Sequence, residues 1–188
     1  MQNHYMRRLI PVCIILLAAA ACSDSNSPKK AALPEAFFDL KGYIQGEARR
    51  LSETQPNVVK RISIDGREEE KAFDSLDYQK ELDIFSRSDI NKTAWLDKYQ
   101  VDSTFRDGQL AQTTYTSKDK SLKTRLLEVQ FANGKVSKIH IQNQTESIVA
   151  DVGQEMWYRP GKGYRLESGQ STALTKEKKV TVEVEFVE

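Results

Sequence analysis

Four short turn signals constrain this fold more than any other feature of the sequence: Asp65-Gly66, Asp107-Gly108, Asn133-Gly134 and Pro160-Gly161. Asp-Gly and Asn-Gly pair a residue that tolerates positive φ with a glycine, which is the chemistry of a two-residue hairpin loop. Each lies between runs that read as strands, so each predicts an antiparallel pair. The first pair is expected over 58–64 and 67–73, the second over 98–105 and 109–117, the third over 122–131 and 136–142. Further strands are expected at 147–152, 155–158, 163–167 and 179–187. The last alternates cleanly, with Val180, Val182, Val184 and Phe186 against Thr181, Glu183 and Glu185. That pattern fits a sheet covered on one side and wet on the other.

Two helical patterns supply the cover. Over 35–53, with Pro34 as a first-turn proline, Phe37, Leu40, Ile44, Ala48 and Leu51 share a face. Gly42 and Gly46 in this segment suggest close packing. A second helix is expected over about 77–87, capped near Asp74 or Ser75, with Tyr78, Leu82 and Phe85 at helical spacing. Trp95 follows as a plug for the core or its rim. The expected class is α+β: two N-terminal helices on one face of a curved, mainly antiparallel meander sheet that can partly close into a barrel. The run Glu68-Glu69-Glu70-Lys71 marks its strand as a charge-protected edge. Successive strand residues face opposite ways, so these glutamates do not converge on a cation.

The chemistry-bearing residues are few. His140 stands between Ile139 and Ile141, which take the buried side, so it points outward. The other histidine, His4, and Cys13 lie in the N-terminal stretch expected to be removed, and the one histidine and one cysteine left make a poor zinc set. No Gly-x-Ser-x-Gly elbow is present, and Gly161-Lys162-Gly163 lacks the spacing of a phosphate loop. Asp77, Glu81 and Asp83 read as a solvated helix face. No catalytic residue, metal ligand or cofactor is therefore assigned. The aromatic and basic cluster Trp157, Tyr158, Arg159, Tyr164 and Arg165 surrounds the Pro160-Gly161 turn. Cross-strand packing is its plainer reading, and a site for an extended sugar, a headgroup or a partner protein is the functional one.

The N-terminal stretch carries an address. Arg7 and Arg8 precede an apolar run from Leu9 to Ala21, and Ala19-Ala20-Ala21 precede Cys22. The run is too short for a spanning helix, which needs about 20 residues, and matches a secretory signal peptide. Small residues directly before a cysteine resemble the lipobox of bacterial lipoprotein precursors, with Ala19 where leucine is commonest. The resemblance implies diacylglyceryl transfer to the Cys22 thiol and cleavage before it. Conventional cleavage after an Ala-x-Ala pattern, leaving a free Cys22 thiol, is the rival. Residues 1–21 are thus expected as signal peptide, 22–33 as lipidated cysteine and flexible tether, and 34–188 as one domain.

Of the 28 basic and 27 acidic residues, only Arg7 and Arg8 leave with the signal, so the mature chain is almost neutral. This gives no electrostatic case for nucleic acid. Cys13 also leaves, which removes any intramolecular disulfide. The stretches Phe37-Phe38-Asp39-Leu40-Lys41-Gly42 and Ser88 to Trp95 resemble small uncharacterised lipoproteins of Gram-negative bacteria. The resulting expectation is a non-enzymatic protein of the cell envelope, held at the outer membrane by lipid on Cys22. It would bind an envelope protein or an apolar or lipid ligand through the sheet concavity or the Trp157 hairpin. The alternatives are an envelope hydrolase using a carboxylate pair and a structural assembly factor.

Overall fold

A computed structural model describes residues 37–172 and 178–187, all within one compact unit spanning Pro34–Glu188. Helix α1 (Leu40–Thr54) leads to the hairpin β1 (Asn57–Ile64) and β2 (Arg67–Phe73). Helix α2 (Tyr78–Ser86) and a short 3-10 turn (Thr93–Trp95) follow. The chain then runs up and down through β3 (Tyr99–Arg106), β4 (Gln109–Ser117), β5 (Thr124–Ala132), β6 (Lys135–Glu146), β7 (Asp151–Arg159), β8 (Gly163–Ser171) and β9 (Lys178–Val187). All pairings are antiparallel, in the order β2-β1-β9-β8-β7-β6-β5-β4-β3.

This architecture corrects the expected fold in two ways. The helices are not a pair preceding the sheet: α1 begins at Leu40, and α2 follows the β1–β2 hairpin. That hairpin joins the sheet because Val58, Ile62 and Ile64 give β1 an apolar face, which β9 matches in register with Phe186, Val182 and Val180. The sheet is also open, with β2 and β3 as its two edges. A closed barrel needs inward-facing apolar residues from each strand. β2 sets Glu69 and Lys71 opposite Ile62 and Lys60, so it has little apolar surface to offer an interior.

Local chemistry explains the element ends. Asp65, Asp107 and Asn133 have φ of 50°, 51° and 52°, and each is followed by a glycine with positive φ. Three hairpin loops therefore have two residues in the left-handed region, the type I′ pattern. Asp39 caps α1 by accepting from the Gly42 N–H at 2.8 Å. A side chain on Gly42 would strike the Asp39 carboxylate, so this glycine serves the cap rather than helix packing. The second helix is capped by Asp77, beyond both expected caps, Asp74 and Ser75. Of the expected strands at 147–152 and 155–158, only residues 151–152 of the first join the second, in the single strand β7. Ser147 to Ala150 form a turn closed by the Ser147 N–H and hydroxyl on the Ala150 carbonyl.

The core lies between the helices and one sheet face. Leu40, Ile44, Ala48 and Leu51 of α1 and Tyr78, Leu82 and Phe85 of α2 meet Val129, Ile139, Ile141, Met156, Tyr158, Tyr164 and Val184. Trp95 packs at the rim, with Lys92 Nζ 3.9 Å from its ring centre.

Candidate functional site: the open face of the sheet

Strand alternation sends each second residue away from the helices. On that side the register aligns one row across all nine strands: Asp102, Thr114, Glu128, His140, Trp157, Arg165, Glu183, Arg61 and Glu70. Trp157 and His140 stack with ring centres 5.3 Å apart and planes 3° from parallel. His140 Nε2 lies 2.8 Å from Glu155 Oε1, which also accepts from Gln142 Nε2 at 3.2 Å. Arg165 bridges Glu167 at 2.7 Å and Glu183 at 3.6 Å. Arg61 contacts Glu70 and Glu185. His140 does face outward as expected, but the Trp157 ring and Glu155 cover it, leaving its side chain only 15% exposed.

Beside this row lies a groove of about 880 Å³ lined by Lys138, Trp157, Arg159, Lys162, Arg165, Glu183 and Glu185, among others. Its cations fall into two groups. Arg165 is neutralised by its two glutamates. Lys138, Arg159 and Lys162 make no ion pair among the described residues and cluster toward the β7–β8 turn. That end of the groove thus carries three cations beside an indole, and the nearby Glu185, opposite Gly163, is held by Arg61 at 3.1 Å. Gly163 shapes the turn: its φ is +134°, and a Cβ there would collide with the Val184 carbonyl. A second, shallower groove of about 540 Å³ contains Asp151, Glu155 and Glu167. Glu155 and Glu167 are direct cross-strand partners.

The sequence cluster divides between the two faces. Trp157, Arg159 and Arg165 belong to the open face. Tyr158 and Tyr164 are cross-strand partners, as expected, but both are buried beneath the helices. Tyr164 touches the open groove only where β8 borders it. The Phe85 ring meets Tyr158 and Tyr164 edge-on at 5.9 and 5.8 Å. Each tyrosine hydroxyl donates to a helix carboxylate: Tyr158 to Glu47 at 2.7 Å and Tyr164 to Glu81. Arg50 also binds Glu47, and Lys60 reaches both oxygens of Glu81 at 2.8 Å. Burial opposes charge on Glu47, but the hydrogen bonds from Arg50 and Tyr158, with the Arg50 charge, outweigh it and hold the carboxyl below its usual value. Burial, then the adjacent carboxylates, push both tyrosines far above the ordinary tyrosine value.

Glu81 thus departs from the solvated reading of its helix, while Asp77 and Asp83 pair with Lys80 and Arg87 at the surface. Sequence reasoning missed Glu47 altogether. The available signal was its place beside Ala48 and three residues after Ile44, at the border of the apolar stripe. Ile148 and Val149, expected within a strand, stand fully and largely exposed on the Ser147–Ala150 turn.

No protein-family model, curated protein or solved structure matches this chain. Cys22 and the whole stretch before Phe37 lie outside the described residues. Among the described residues, no helix is long and apolar enough to cross a membrane, and no group of three or more His, Cys, Asp or Glu residues is placed to hold a metal ion.

Proposed function

We propose that this chain is a lipid-anchored, non-enzymatic binding protein of the cell envelope, tethered through Cys22, that uses the open groove around Trp157 to hold an anionic segment of a partner protein. The anchor rests on the sequence pattern Ala19-Ala20-Ala21-Cys22 behind a short apolar run. The observation that carries the binding role is the clustering of Lys138, Arg159 and Lys162 beside Trp157 in one groove, without acidic partners among the described residues. The charged lining favours an anionic ligand over the apolar one first expected. The face on which an apolar ligand would sit is filled by α1 and α2.

Two measurements test the two halves separately. Mass spectrometry of the membrane fraction should find Cys22 acylated and N-terminal, and an unmodified Cys22 would remove the anchor. A polyglutamate peptide titrated against the full chain should change Trp157 emission, with affinity falling as salt rises. Reversing Lys138, Arg159 and Lys162 to glutamate should abolish the response. A response that survives this reversal would remove the groove.

The opposed pair Glu155 and Glu167 supports a second reading, a hydrolase working through two carboxylates. In that case hydrolysis of an envelope substrate would be lost in Glu155→Gln and Glu167→Gln while polyglutamate binding stayed intact.

A further inference from the structure

The two edges of the sheet are chemically unlike. β2 runs Arg67-Glu68-Glu69-Glu70-Lys71 before Ala72 and Phe73, so five consecutive charges guard its free backbone. β3 has only Asp102 and Arg106 among its eight residues. Past Tyr99 it is exposed throughout, with Val101 at 48% and Phe105 at 68%. Among the described residues, no helix, proline or charge run covers it. The register shift near Thr104 and Phe105 leaves Ala111 of β4 without an opposite residue, so β3 itself keeps a regular alternation. A long, regular, neutral edge is a template for another strand.

We infer that β3 is a dimerisation edge and that its occupant is the β3 strand of a second copy of this chain. The asymmetry of the edges selects this partner. If β3 docked on β2 of the next copy, the contact would be head-to-tail and would grow into a filament, and the β2 charges oppose it. Pairing β3 with β3 is isologous and closes after two copies, leaving two guarded β2 edges outside. The Lys118 N–H donates to the Lys98 carbonyl at 2.8 Å. In an antiparallel ladder that contact fixes the alternation, so Tyr99, Val101 and Ser103 turn their N–H and C=O groups to the free edge.

A two-fold axis at Ser103 uses these groups and sets Val101 of each copy opposite Phe105 of the other. The same register places Arg106 on the diagonal from the partner's Asp102, an opposite-charge neighbour. Two apolar pairs and two charge-matched diagonals thus arise from one eight-residue strand. The result is a continuous sheet through the two-fold, with both open faces on view.

Sedimentation of the full chain across a concentration series into the millimolar range tests the pairing. The wild type should pass from monomer to dimer and stop there. Val101→Lys and Phe105→Glu should each lose the dimer. Combined, they should restore it, because the register sets the introduced ammonium of each copy opposite the introduced carboxylate of the other. Glu69→Ala on the other edge should leave it unchanged. A wild type monomeric at every concentration, growth beyond the dimer, or a dimer indifferent to Val101→Lys would overturn the inference. Failure of the double variant to recover dimerisation would overturn the register.

Discussion

Tyr158 and Trp157 are neighbours in sequence and occupy different physical worlds. Tyr158 is fully buried, ringed by Phe85 and tied to Glu47. Trp157 lies on the far side of the same strand, stacked on His140 and bordered by the charged row that crosses the sheet. Their cross-strand partners repeat the contrast, since Tyr164 is buried and Arg165 is exposed. Stability is concentrated on the helix side, where burial is deep and polar groups are closed off. The open side is free to change its chemistry at small cost to the fold, which is where a binding surface can sit.

The contrast can be broken most forcefully at Phe85. Phe85→Ala removes a wholly buried ring that meets both tyrosines, and a loss of about 3–5 kcal/mol is expected in denaturant titrations. Next in size, Glu47→Ala leaves the Tyr158 hydroxyl and Arg50 without their shared acceptor, costing about 1–3 kcal/mol.

The same carboxylate supplies a pH signature. Its folded value is held below the ordinary glutamate value, so its contribution is complete above the latter and vanishes as pH falls through the folded value. Glu47→Gln should therefore flatten the acid limb of the stability profile below about pH 4.5.

Trp157→Ala, one residue from the buried tyrosine, should cost about 1 kcal/mol through lost stacking while removing the fluorescence response to polyglutamate. Smallest of all, Arg165→Gln should change stability by less than about 0.5 kcal/mol, because its ion pairs are exposed and screened. Equal losses at Phe85 and Arg165 would erase the division between the faces.

The sequence held the local part of this architecture openly. Asp65-Gly66, Asp107-Gly108 and Asn133-Gly134 all lie in the loops they announce, and β4 runs from Gln109 to Ser117 as read. The glutamate run marked β2 as an edge, and it is one. What failed was non-local. Nothing in the β1 sequence says that β9 will be its neighbour, because the pairing depends on which apolar faces are left after the other strands have met. The polar contacts beneath the helices were hidden for a related reason. Glu47 and Glu81 look solvated when a helix is read alone, and only the tyrosines on β7 and β8 bring them inside. The aromatic cluster was readable as a turn, yet it is not one surface. The two-residue period assigns Trp157 and Tyr158 to opposite sides, and that rule needed only to be applied within the cluster.

The β1–β9 ladder imposes an order of events on folding. Its paired residues, such as Val58 and Phe186, lie more than 100 positions apart in the chain. Closing a loop of that length costs about 4 kcal/mol in chain entropy beyond a constant term. The meander from β3 to β8 needs only neighbouring hairpins and can assemble from short-range encounters. The β1–β2 hairpin has no place in the sheet until β9 has settled on β8, so the slow step of folding is expected at that seam. Until then Val184 and Phe186 remain uncovered, and a chaperone that binds apolar strands would find its target there.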